Sequence, residues 1–131
     1  MGLGKTIQAL TWLLWLREES GDQAPPSLVV CPKSVLDVWA DEVKKASPSI
    51  RVQVLRNKVE LEVDRLGKDI DLLVLNYSQL RTCAEELKGI NWLGMILDEG
   101  QQIKNPDSKA AKAARALAGS NRFIVGRQLD C

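Results

Sequence analysis

The chain has 131 residues, 45% of them hydrophobic and 27% charged, with a formal net charge of +1. That length is one domain's worth, able to bury on the order of two-thirds of its unfolded surface. Near-neutrality excludes a global basic field, so a nucleic-acid surface would have to be a local patch. The chain has no histidine, which excludes imidazole acid–base chemistry and most zinc sites.

Taken in chain order, Thr6 to Glu19 is the first predicted helix. Ile7, Leu10, Leu13 and Leu14 share a face, and Trp12, Trp15 and Leu16 widen it until only a narrow polar strip remains. A face that wide predicts burial on several sides. The run Leu10 to Leu16 is too short to span a bilayer, and it follows glycines instead of a charged leader region. Cys31, Cys83 and Cys131 lie far apart without a Cys-x-x-Cys pair, a pattern of reduced intracellular thiols. Both features lead to the expectation of a cytoplasmic chain with no membrane partner, nucleoid-associated if bacterial.

A turn-rich connector (Ser20 to Ser27) follows, with Gly21 suited to ending the helix and Pro25-Pro26 to preventing its continuation. SLVVCP reads as a strand buried on both faces. Ser34 is placed to cap a helix VLDVWADEVKKA, whose Val35, Val38, Trp39 and Val43 recur at helical spacing. Arg51 to Leu55 alternates as a strand, Asn57 to Gly67 reads as helical, and Ile70 to Tyr77 is a second buried strand. SQLRTCAEELKG gives a short helix, and Trp92 to Gly100 a strand ending in two acids. Pro106 and Asp107 start an alanine-rich helix, and Arg122 to Val125 is a last strand. Apolar strands alternating with helices predict an α/β fold with a parallel sheet wrapped by helices.

Two motifs carry chemistry. Gly4-Lys5-Thr6 fills the last three places of the phosphate loop G-x-x-x-x-G-K-[ST], whose opening residue would lie ahead of Met1. In such a loop backbone N–H groups wrap the phosphates, the lysine reaches the β/γ-phosphates and the hydroxyl ligates Mg²⁺. The bland alternative is a helix start with a flexible tail. Asp98 and Glu99 end an apolar strand, where ligands of open α/β sheets bind. An Asp there can hold Mg²⁺ and the adjacent Glu can orient and deprotonate the attacking water. Alternatively, the pair merely closes a strand in solvent. The combination with the Gly-Lys-Thr loop favours the catalytic reading.

MGLGKTIQAL, LVVCPKSVLDVWADEVKK, DLLVLNYSQLR and DEGQQIKNPDSKAAKAARAL occur in that order. Together they resemble the Swi/Snf-type family of helicase-like DNA-translocating ATPases, over the first of its two RecA-like lobes, in forms closer to bacterial members. The resemblance implies a P-loop NTPase lobe and assigns ATP phosphates and Mg²⁺ to Gly2, Leu3, Gly4, Lys5 and Thr6. It assigns metal binding to Thr6 and Asp98, and catalysis to Lys5, Glu99 and Gln101. Pro32, Lys33 and Ser34 match the motif that lies along a DNA strand, with Ser34 as a mere helix cap the alternative. Tyr77 falls in a further motif near DNA, or simply packs beneath the sheet edge. Trp12, Trp15, Trp39 and Trp92 lie in apolar stretches and read as core packing instead of base stacking.

The chain departs from the family pattern at both ends. Met1 aligns with an internal methionine of the loop motif, which implies upstream residues comprising a supporting strand and an adenine-contacting segment. That strand would be central in the sheet, so the fold is expected to lack the strand before the P-loop and to leave neighbouring strands unpaired. Residues 1–131 then form a partial ATP-binding domain, with the second lobe supplied in cis or in trans. After Val125 the sequence GRQLDC replaces the family's threonine-glycine-threonine-proline motif, so Arg127 and Gln128 put coupling in doubt. The expected ligands are ATP, Mg²⁺ and the backbone of double-stranded DNA. A non-catalytic nucleotide- or partner-binding module is the alternative, and a small P-loop kinase a weaker one.

Overall fold

The computed structural model describes residues 2–21, 24–98, 116–117 and 122–125. Strands β1 (Ser27–Cys31), β2 (Val52–Leu55), β3 (Leu72–Asn76), β4 (Met95–Asp98) and β5 (Arg122–Val125) form one parallel sheet. Its order is β2-β3-β1-β4-β5. Every residue of β1 and β3 is buried, as befits strands covered on both faces.

The alternation of side chains along each strand splits the core in two. Val29 and Cys31 of β1, Leu72 and Val74 of β3, Ile96 of β4 and Val125 of β5 face one way. They meet α1 (Gly2–Ser20) through Ala9, Leu10 and Leu13, and α2 (Leu36–Ala46) through Leu36, Trp39 and Val43. On the other face Leu28, Val30, Leu73, Leu75, Met95 and Leu97 meet α3 (Tyr77–Thr82) and α4 (Ala84–Lys88) through Tyr77, Leu80 and Leu87. Each leucine buried this fully contributes about 1.5–3 kcal/mol.

The direction of α1 matters most for the site. Near its C-terminal end, Arg17 Nη2 lies 3.9 Å from Asp71 Oδ1, just ahead of β3. Trp12, Leu13 and Leu16 crowd Gly94, just ahead of β4. The later turns of α1 therefore cover the amino ends of the strands. A helix of 19 residues is about 28 Å long, so its first turn extends to their carboxyl ends.

Several expectations are corrected. The first helix begins at Gly2, so the backbone of Gly2–Lys5 belongs to its first turn and not to a loop ahead of it. It buries one face only: Ile7 and Trp15 are 54% and 56% exposed, which removes Trp15 from the core. Ser34 does not cap α2. Pro32 is the extended residue, and Val35 N–H donates to its carbonyl at 3.0 Å, closing a 3-10 turn over Lys33–Val35. The N-cap of α2 is Val35, with no side-chain cap.

Asn57 to Gly67 forms two 3-10 turns, Lys58–Glu60 and Val63–Arg65, and no α-helix. Asn57 Oδ1 accepts from Val59 N–H, while Glu60 Oε1 accepts from the N–H groups of Arg56 and Asn57. Those short-range acceptors close a turn that the extended Leu61 then ends. The helix expected after Tyr77 is broken at Cys83 into α3 and α4. Among the described residues the sheet runs without interruption from β2 to β5. The helix expected from Pro106 lies outside the described residues except at positions 116–117, which are helical.

Candidate nucleotide site

The parallel sheet brings three motif segments to one edge. Cys31-Pro32-Lys33-Ser34 leaves β1, Asn76-Tyr77-Ser78 leaves β3 and Asp98 ends β4, and β1 lies between β3 and β4. Register places Val30 beside Leu97 and Cys31 beside Asn76. This carboxyl edge is where open α/β sheets bind ligands.

Asp98 follows Ile96 by one strand period and so faces α1 and α2. Its carboxylate is half-buried, and Oδ2 accepts a 2.8 Å hydrogen bond from the indole Nε1–H of Trp39 on α2. Burial pushes the Asp98 pKa up, and the indole hydrogen bond offsets this in part. Cys31 lies close enough to feel the same carboxylate. Burial first, and then the Asp98 charge, push its thiol up to about 12, so it stays protonated and neutral.

The first turn of α1 approaches this edge on the same face. Ile7, Leu10, Thr11 and Leu14 border a groove with Glu42, Lys45 and Ala46 of α2. Both helices run from the carboxyl to the amino edge. Counting back along each brings the turn containing Lys5 level with Trp39. Thr6 is half-buried there. The N–H groups of a helix's opening residues lack intrahelical acceptors, and here they include those of Gly2, Leu3 and Gly4. Such a turn attracts anions.

At the same edge Pro32 is buried, whereas Lys33 and Ser34 are exposed. Tyr77 is 7% exposed and packs in the core beneath the sheet edge, so its ring is not available at the surface. Asn76 Oδ1 instead caps α3 by accepting from Gln79 N–H at 2.7 Å. Exposed groups nearby are Ser78 and Arg81, which with Thr82 line a small surface cavity. Glu99, Gln101, Arg127 and Gln128 lie outside the described residues, as does Cys131.

Two features escaped the sequence reading. Trp39 is core, at 2% exposure, but its polar atom serves Asp98. Arg81 sits one helical turn after Ser78, and that spacing within DLLVLNYSQLR was the signal available for it.

Magnesium fits the donors present. The candidate ligands are hard oxygens, a carboxylate and a hydroxyl, and among the described residues no three His, Cys, Asp or Glu side chains cluster into a complete cage. Magnesium is commonly held by one or two carboxylates with substrate phosphate oxygens completing its shell. Among the described residues no helix is long and apolar enough to cross a membrane.

A parallel five-stranded sheet with helices on both faces defines a RecA-like lobe. The SNF2-related domain model matches residues 1–126, and the chain belongs to that family. The ISWI chromatin-remodeling complex ATPase ISW1 of Saccharomyces cerevisiae is 33% identical over 131 residues, spanning 95% of this chain and 11% of that protein. The chromatin-remodeling ATPase INO80 of Arabidopsis thaliana is 33% identical over 136 residues, 95% of this chain and 9% of the relative. The Sulfolobus solfataricus SWI2/SNF2 ATPase core, solved in complex with dsDNA, superposes with a TM-score of 0.68 at 34% identity. The match covers 95% of this chain and 25% of that one. The chain thus spans a small part of each relative's length.

Proposed function

We propose that this chain is the ATP-binding first lobe of a DNA-dependent translocating ATPase. The observation that carries the reading is the shared edge and face of Asp98 and the first turn of α1. In this reading the backbone N–H groups of Gly2, Leu3 and Gly4 hold the phosphates of ATP. The Lys5 ammonium neutralises the β/γ-phosphates, and Thr6 and Asp98 hold Mg²⁺. Bound magnesium supplies charge neutralisation on the phosphate oxygens. Glu99 orients the attacking water and takes its proton, and Gln101 senses the γ-phosphate side of the site.

Lys33 and Ser34 offer an ammonium and a hydroxyl to the phosphates of double-stranded DNA, and Pro32 sets their backbone. Contacts of this kind position a duplex without reading its sequence. The buried ring of Tyr77 supports a packing role, leaving Ser78 and Arg81 as the exposed donors of that segment.

In this reading the 131 residues are part of the first lobe. A transition-state arginine from a second lobe is worth about 10³ to 10⁵ in rate. We therefore expect this chain alone to release phosphate very slowly, with little stimulation by duplex DNA, until a second lobe joins it in cis or in trans.

Titration calorimetry tests the site. Mg·ATP is expected to bind the wild-type chain, and Lys5→Ala to weaken it roughly tenfold to a hundredfold, the loss of one charge-assisted hydrogen bond. Identical heats for the two proteins would remove the loop-based assignment.

A further inference from the structure

We infer that Trp39 is a positioning residue for the metal site, its indole N–H aiming the Asp98 carboxylate at the cation. The inference rests on the reading of Asp98 as a magnesium ligand and goes beyond it to the residue that holds that ligand in place.

The two side chains belong to segments 59 positions apart: α2 packs over β2 and β3, and the long indole of Trp39 reaches from it to the end of β4. The donor–acceptor distance is 2.8 Å, within the range of a charge-assisted hydrogen bond. Trp39 is only 2% exposed, sharing its cluster with Leu36, Val43, Val29 and Ile96, so the ring has no room to swing away. A rigid donor of this kind restricts the carboxylate's rotation about its last bond, which is otherwise broad and two-fold.

The chemical identity of the donor is what singles it out. An arginine or lysine at this place would form an ion pair with Asp98 and compete with a divalent cation for its charge. An indole is a donor only and carries no charge. It occupies one of about four lone-pair directions of the carboxylate and leaves its negative charge for a metal. Outer partners that orient a ligand typically govern metal affinity by about tenfold to a hundredfold.

The experiment uses the whole chain with Mn²⁺ and ATP as probes, comparing wild type with Trp39→Phe. That change keeps an aromatic ring in the core and deletes the donor. The expected result is an affinity for Mn·ATP about tenfold to a hundredfold weaker, with affinity for metal-free ATP unchanged. A merely structural role would not split the two. Equal Mn·ATP affinity in both proteins, or parallel losses with and without metal, overturns the inference and leaves the site reading standing.

A second measurement needs no variant. Mn·ATP should broaden the Trp39 indole N–H resonance of the wild type much more strongly than that of the exposed Trp15, about 14 Å beyond Thr6 along α1. If Mn·ATP binds and the Trp39 signal stays sharp, the metal is not held at Asp98. If the wild type binds no Mn·ATP at all, the site reading fails, and this inference fails with it.

Discussion

At Asp98 two requirements pull in opposite directions. Burial favours the neutral acid and holds its pKa above the usual carboxylate value, whereas a divalent cation needs the anion. The folded state therefore binds this proton more tightly than the unfolded one. Stability from that source is fully present below the unfolded pKa, 3.8, and is lost as pH rises through the raised folded value. Asp98→Asn escapes that loss and still gives the indole an oxygen to donate to. The variant is expected to melt higher than wild type at neutral pH, with the difference fading in acid, while Mg·ATP binding is lost. Thermal melts across that pH range check it, and a neutral-pH melting point at or below wild type refutes it. The position of this residue at the end of β4 was legible in the sequence, because an acid closing an apolar strand has few other places to be. The partner was not. Trp39 reads as core from its helical spacing and is core, but nothing local announces a hydrogen bond to a strand 59 positions away.

Among the elements, α1 holds most of the residues of the proposed nucleotide site, and it packs tightly against Gly94. A Cβ at Gly94 would lie 2.9 Å from Leu16 Cδ1, 3.2 Å from Trp12 Cη2 and 3.3 Å from Leu13 Cδ1. Leu16 has a free end that can yield, but the tryptophan and the buried Leu13 have less room. Gly94→Ala is therefore expected to destabilise by about 1 to 2 kcal/mol. By lifting α1 it should also weaken Mg·ATP binding, although the substitution is at the opposite edge of the sheet. Denaturant titration and calorimetry on the same protein check both parts, and an unchanged midpoint contradicts the packing argument. The strands were readable because a run such as SLVVC or LLVLN, apolar at nearly every position, suits only a sheet covered on both sides. The segment from Asn57 to Gly67 was misread for the converse reason. Its shape comes from Asn57 and Glu60 bonding backbone N–H groups within a few residues, a competition that periodicity does not register. Ser34 shows the same weakness: a good capping residue lost its place when Pro32 started a 3-10 turn earlier.

For the molecule as a whole, the amino edge of the sheet is tied by one carboxylate. Asp71 accepts from Arg51 through its backbone N–H at 2.9 Å, Nε at 3.0 Å and Nη2 at 2.9 Å, and Arg17 of α1 adds a longer contact. Burial alone would raise its pKa, but the Arg51 hydrogen bonds and the charges of Arg17 and Arg51 outweigh that and lower it. Its contribution is present above the ordinary carboxylate range and is lost as pH falls through the depressed folded value. Asp71→Asn should accordingly lower the melting point at neutral pH and flatten the acid limb of the stability profile. An acid limb as steep as that of wild type would show that other carboxylates govern it. The sheet order has a further consequence, for how the chain comes into being. Among the described strands the central one is made first, yet Ser27 has no partner until Leu72 exists, and Leu28 gains its first with Leu73 and its second only with Met95. At a synthesis rate of about 5–20 residues per second, the most apolar ribbon of the protein waits seconds for its neighbours. Chaperone demand and expression temperature should therefore weigh more heavily on this chain than on a helical bundle of equal size.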